Sequence, residues 1–211
     1  MSICNKKKDM CLLVGSSDFY LDPRITPEEC FVIALDGGYG ALISRGITPD
    51  VIIGDFDSLG YVPCADNVTV LPRVKDDTDS FYAAKWALAE GYLKFYLCGC
   101  TGGSREDHTF ANVVLMQYLS RRGAECTMEG ERQMYRVLCG PASLRFKGKR
   151  GYFSVFSLSE RARGVSMRGF EYETDGIELS CDVPLGVSNT FASDECEIKV
   201  EEGDLLLIWE K

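Results

Sequence analysis

Four short apolar runs in the first half of this chain each lead into a polar turn that carries a carboxylate, and helical patterns lie between them. Phe31–Leu35 ends at Asp36-Gly37-Gly38, and Val51–Ile53 ends at Gly54-Asp55-Phe56-Asp57-Ser58. Val68–Leu71 precedes Lys75-Asp76-Asp77-Thr78-Asp79. Lys94–Cys98 precedes Gly99 to Gly103 and then Arg105, Asp107 and His108. A fifth run, Cys11–Val14, opens the series, and the helical stretches are Gly38–Arg45, Ser80–Glu90 and Asp107–Arg122. The last of these sets Ala111, Val114, Leu115, Tyr118 and Leu119 in one apolar stripe. Strands alternating with helices imply βαβ units and a mainly parallel sheet. In such a sheet the turns after the strands share one edge, the carboxyl ends, where ligands bind in open α/β folds.

Carboxylates crowded along one edge repel one another unless a cation lies between them. Aspartate oxygens, water and phosphate are the ligands that magnesium prefers, so the pattern predicts a metal–phosphate substrate. Each cluster also has a plain structural reading. Asp76 or Thr78 can cap the helix starting near Ser80, and Ser104-x-x-Asp107 resembles a capping box. Capping gives no reason for Asp55 and Asp57 to flank a phenylalanine.

From Arg132 onward the texture changes. Arg132–Leu138, Ser143–Phe146, Tyr152–Leu158, Gly164–Met167, Ile177–Ser180, Cys196–Val200 and Asp204–Trp209 are short and alternating, with Gly, Asp and Ser between them. The fold class expected is therefore α/β followed by all-β: a mainly parallel sheet with helices over residues 1–133, then a small β-sandwich over residues 134–211.

A net charge of −9 over 211 residues argues against a nucleic-acid partner, which is held chiefly by surplus Lys and Arg. No apolar run nears the roughly 20 residues of a membrane span, and the N-terminal stretch does not read as a signal peptide. Ten cysteines with no C-x-x-C and a single histidine offer little for a zinc site. They read as reduced, mostly buried thiols of a cytoplasmic protein.

Taken in order, Asp36-Gly37-Gly38, Gly54-Asp55-Phe56-Asp57-Ser58, Lys75-Asp76-x-Thr78-Asp79, and Gly99-x-x-Gly102 with Arg105-x-Asp107-His108 resemble the motifs of thiamine pyrophosphokinases. Gly186-Val187-Ser188-Asn189 is similar to that family's thiamine-contacting segment. The family usually runs Gly-x-x-Gly-x-Arg-x-Asp-His, and here both Gly103 and Ser104 separate Gly102 from Arg105. The resemblance implies ATP and thiamine as substrates, AMP and thiamine diphosphate as products, Mg2+ as cofactor, and a homodimer with its sites between subunits.

On that footing Asp55, Asp57 and Asp79 are the expected metal ligands, with Asp36 and Asp76 close behind. Arg105 offers a planar fork to phosphate and Lys75 a point charge. Asp107 either holds Arg105 or orients the attacking hydroxyl. Gly37, Gly38, Gly102 and Gly103 let backbone amides approach phosphate, with Ser58 and Thr78 beside them. Ser188 and Asn189 are expected to meet the thiamine pyrimidine. Phe56, Tyr172 and Trp209 are candidates for stacking, with core packing the default for Trp209. His108, in the first turn of a helix, fits a supporting role better than a general base. An aspartyl-phosphate phosphatase, a metal-dependent glycosyltransferase, and a non-catalytic nucleotide or thiamine sensor stand as rival readings.

Overall fold

In the computed structural model the described residues are 8–57, 59–74 and 76–211. They form two compact units, the first within residues 1–115 and 123–130, the second comprising 116–122 and 131–211.

The first unit contains, in chain order, β1 (Met10–Val14), β2 (Cys30–Leu35), α1 (Gly38–Ile43), β3 (Val51–Gly54), β4 (Val68–Val70), α2 (Asp79–Ala89), β5 (Lys94–Cys98), the start of α3 (Glu106–Ser120) and β6 (Glu125–Glu129). Its strands lie in the order β4-β3-β2-β1-β5-β6. Every pairing among them is parallel. Cys11, Leu12, Leu13 and Val14 of central β1 are all 0% exposed. A strand covered on both faces has no polar side, which is why these runs are continuously apolar. β6 is an addition to the expected strands. Only Cys126, Met128 and Glu129 are buried in it, and glutamates bracket it, so it lacks an apolar run.

The three helices form where the pattern places them, but the buried face of α3 is rotated. Val114 is 45% exposed, whereas Asn112, Leu115, Met116 and Leu119 are buried. These four keep helical spacing, with a polar residue inside the stripe. Asn112 tolerates burial because its amide is satisfied. The Ser80 hydroxyl donates to Oδ1 (2.7 Å) and Nδ2 donates to the Cys100 carbonyl (2.8 Å).

The second unit is all antiparallel apart from the end of α3. It holds β7 (Gln133–Cys139), β8 (Ala142–Lys147), β9 (Tyr152–Ser157), β10 (Arg161–Arg168), β11 (Thr174–Ser180), β12 (Asn189–Thr190), β13 (Glu195–Val200) and β14 (Asp204–Glu210). The strand orders are β7-β14-β9-β12 and β11-β10-β13-β8. Phe146 on β8 meets Phe153 and Trp209 from the other sheet at 5.6 and 5.2 Å, both edge to face. Phe170 and Phe191 complete this aromatic core. Such pairs add about 0.5–1.5 kcal/mol each beyond their burial. Trp209, 7% exposed, is thus a core residue. Asp204, also buried, takes hydrogen bonds from Gln117 and Arg121, which keeps its charge paired.

Among the described residues no helix is long and apolar enough to cross a membrane. The nine described cysteines are free thiols, six of them buried.

Candidate active site

The carboxyl ends of β2 and β3 are forced close together by their sequence. The Asp36 N–H donates to the Ile53 carbonyl (2.9 Å), and Gly54 lies so near that a Cβ on it would sit 3.0 Å from Asp36 Cα. Only a residue without a side chain lets the two turns approach this far. Asp36 and Phe56 hold positive φ of 45° and 59°, a conformation costly for residues other than glycine. Backbone outliers of this kind collect at functional sites, where the surrounding structure holds them. Phe56, 3% exposed, anchors its turn in the core and is unavailable for stacking.

The third carboxylate comes from the start of α2. The Thr78 hydroxyl accepts from the Phe81 N–H (3.2 Å), an N-cap that begins the helix at Asp79. An acid in the first turn also suits the positive end of the helix. Asp36, Asp55 and Asp79 each offer a carboxylate oxygen within 4.8 Å of the others, all three partly buried. Three hard, anionic oxygens so close together match what magnesium selects and leave nothing for a soft metal.

The other expected residues fall around this triad. Asp57 is exposed and outside it, with its N–H donating to Asp55 Oδ1 at 3.4 Å, and its charge acts on Arg105. Asp76 is exposed, and neighbouring Asp77 pairs with Lys85 at 2.6 Å. Ser58 and Lys75 lie outside the described residues. Arg105 directs its fork at Asp107, with Nε donating to Oδ1 (3.0 Å) and a terminal nitrogen to Oδ2 (2.8 Å). The Arg105 hydrogen bond holds the exposed Asp107 carboxyl down at about 2. The exposed His108 donates its N–H to the Arg105 carbonyl (3.1 Å) as α3 begins.

Of the glycines, Gly38 is buried so tightly under β1 that a Cβ would lie 2.0 Å from the Val14 carbonyl oxygen. Gly37 is half-buried at the head of α1. Gly102 commits its N–H to the Thr109 hydroxyl (2.9 Å), so that amide is used within the loop. Gly103 is exposed at positive φ.

One part of this edge was missed by the sequence reading: the turn after β1. The Gly15 N–H donates to the Cys98 carbonyl (2.8 Å) and the Ser17 N–H to the Gly99 carbonyl (2.9 Å). The signal was Gly15-Ser16-Ser17 at the end of an apolar run, with no carboxylate to mark it.

In the second unit Ser188 is exposed at φ 62°, and its N–H donates to the Ser154 hydroxyl (3.1 Å). Asn189 is 3% exposed. Its Oδ1 accepts from the Tyr172 N–H (3.0 Å) and its Nδ2 donates to the Tyr172 carbonyl (2.8 Å). The amide therefore clamps the backbone of Tyr172, whose ring is 64% exposed.

The same two halves appear in known proteins. Residues 23–128 match the thiamin pyrophosphokinase catalytic domain, and residues 143–205 match the thiamin pyrophosphokinase vitamin B1 binding domain. Thiamine pyrophosphokinase of Bacillus subtilis is 25% identical over 190 residues, covering 87% of this chain and 88% of its own. The crystal structure of thiamin pyrophosphokinase from Geobacillus thermodenitrificans is similar with a TM-score of 0.80 at 25% identity, over 96% of this chain and 97% of that one. The yeast enzyme, at 14% identity, keeps the fold with a TM-score of 0.73, over 98% of this chain and 87% of its own. With the catalytic-domain profile spanning the acidic edge and the vitamin B1 profile spanning the clamped Tyr172 loop, the chain belongs to the thiamin pyrophosphokinase family.

Proposed function

We propose that this protein transfers a diphosphoryl group from ATP to thiamine, giving thiamine diphosphate and AMP, with Mg2+ as cofactor. The observation that carries the reading is the convergence of Asp36 and Asp55, at the ends of β2 and β3, with Asp79 at the start of α2. That triad would hold the cation, and charge neutralisation on the phosphate oxygens is what magnesium supplies when bound there.

The chain's own residues position the reactants. The primary hydroxyl of thiamine attacks the β-phosphorus, the bond from that phosphorus to the oxygen of AMP breaks, and the hydroxyl proton leaves to water or base. Such transfers rest on positioning and charge stabilisation rather than covalent catalysis by the protein. Arg105, held by Asp107, offers a charged fork to phosphate, and the Asp57 charge acts on it as well. Lys75 adds a point charge, and Gly37 and Gly103 offer close backbone approach. In the second unit Ser188 meets the pyrimidine while the exposed ring of Tyr172 stacks on the substrate cation. Asn189 serves this subsite by fixing the Tyr172 backbone. We further propose a homodimer whose sites draw on both chains. The test is incubation with ATP, magnesium and thiamine. AMP formed in step with thiamine diphosphate supports the reading, and ADP in its place, or no nucleotide turnover, refutes it.

A further inference from the structure

Glu129, the last residue of β6, is a buried carboxylate that the proposed chemistry does not use. It is 3% exposed. Two donors converge on its Oε2, the Tyr96 hydroxyl at 2.5 Å and the Asp22 backbone N–H at 2.7 Å. A carboxyl group this buried needs such hydrogen-bond partners. Burial, with the bond to Glu129, pushes the Tyr96 phenol far above its ordinary value, so the hydroxyl stays a donor.

What these bonds tether is the segment after β1, residues 15–22. The Cys98 thiol donates to the Tyr20 carbonyl (2.6 Å), and Gly15 and Ser17 bond to Cys98 and Gly99 as above. The segment is thus fastened across the carboxyl ends of β1, β5 and β6. The strand order runs outward from β1 to β4 on one side and through β5 to β6 on the other. The gap between β1 and β5 is therefore the topological switch point, where open α/β sheets take their ligands. The serines of the segment abut both glycine turns assigned to phosphate. A Cβ on Gly37 would lie 2.9 Å from Ser16 Cβ, and one on Gly103 would lie 3.3 Å from Ser17 Oγ. The Ser17 hydroxyl also donates to the Gly102 carbonyl (3.4 Å).

We propose that Glu129 is a positioning residue for the nucleotide. By holding Asp22 it sets the 15–22 strap against the Gly37 and Gly103 turns, and so shapes the pocket that receives the phosphates. The inference rests on the ATP reading above and adds a residue that the acidic motifs do not contain.

The test uses the full chain with Glu129→Ala, Glu129→Gln and Tyr96→Phe. Michaelis constants for MgATP and for thiamine are measured separately, with ATP affinity read directly by equilibrium binding and folding by thermal melting. Both donors reach one oxygen, so a glutamine carbonyl can accept both, and Glu129→Gln should stay within about threefold of wild type for ATP. Glu129→Ala should raise the ATP constant about tenfold through misplacement of the strap, with the thiamine constant within about twofold. Tyr96→Phe removes one bond and almost no volume, so it carries the test if the alanine variant does not fold, and it should fall between the other two. Wild-type ATP affinity in Glu129→Ala, or in Tyr96→Phe where it stands alone, overturns the proposal. Equal rises for both substrates do so as well. A wild-type protein that releases no AMP would refute the functional reading instead, and the binding arm would still decide the role of Glu129.

Discussion

Replacing Gly54 with alanine tests how the acidic triad is held together without touching a carboxylate. The new Cβ would lie 3.0 Å from Asp36 Cα and 3.1 Å from both its Cβ and its N. All three atoms belong to the backbone or the root of the side chain, so none can rotate away. Ordinary contact begins near 3.4 Å, so Asp36 must withdraw by a few tenths of an ångström. It must do so from a positive φ while bonded to Ile53. Overpacking of this size costs about 1–3 kcal/mol, which a folded domain with about 5–15 kcal/mol of stability survives. The functional cost should be larger, because a site of this kind tolerates errors of only about 0.5 Å. We expect kcat/KM to fall roughly ten- to hundredfold and the magnesium requirement to rise. Gly40→Ala is the control: nothing lies within 4 Å of its Cβ position in α1. That variant should be active and about 0.5–1 kcal/mol more stable. AMP release across a magnesium titration, with a thermal melt, reads both. A folded Gly54→Ala protein with wild-type activity at limiting magnesium would refute the reasoning.

Two further outcomes follow from the geometry. Asn189→Ala strips the Tyr172 backbone of both partners and should destabilise the protein by about 1–3 kcal/mol while raising the thiamine KM. Tyr172→Ala should raise the thiamine KM with little change in melting, since the ring is exposed, and an Asn189→Ala protein that melts like wild type would contradict the clamp. In native protein at pH 8, iodoacetamide should label the exposed Cys64 and Cys181. Burial pushes Cys98 and Cys100 up to about 12, so both stay protonated and unreactive until the protein unfolds. Prompt modification of Cys98, read by mass spectrometry, would show that the buried edge is open.

The α/β half was legible because its central strands, β1, β2 and β5, are buried along nearly their whole length and several strands end in turns with unusual chemistry. A run such as Phe31–Leu35 stopping at Asp36-Gly37 specifies both a strand and the edge it points to. The sandwich was legible through alternation, as in Tyr152–Ser157. What escaped were features whose signal is not hydrophobic. β6 is bracketed by glutamates, one of them buried because Tyr96 and Asp22 supply donors. Asn112 sits in the apolar stripe of α3 for the same kind of reason, and β12 is two residues long. Within the site, spacing alone paired Asp55 with Asp57. Either side of the positive φ of Phe56, Asp55 is half-buried and Asp57 exposed, and Asp36, expected just behind them, lies with Asp55 and Asp79. That grouping depends on the close approach that Gly54 permits, which spacing along the chain does not show. The neighbourhood of Asn189 points to a ligand, and its hold on Tyr172 is visible only in the hydrogen bonds.

The central claim is that thiamine attacks the β-phosphorus of ATP at the Asp36–Asp55–Asp79 edge. ATP carrying oxygen-18 in the bridge between its α- and β-phosphorus distinguishes the possible bonds broken. Attack at the β-phosphorus leaves the labelled oxygen on AMP, and mass spectrometry of the nucleotide product should find it there in every turnover. Label appearing in released inorganic diphosphate would mean attack at the α-phosphorus, with AMP transferred to thiamine, and labelled ADP would mean transfer of a single phosphoryl group. Either result would contradict the account.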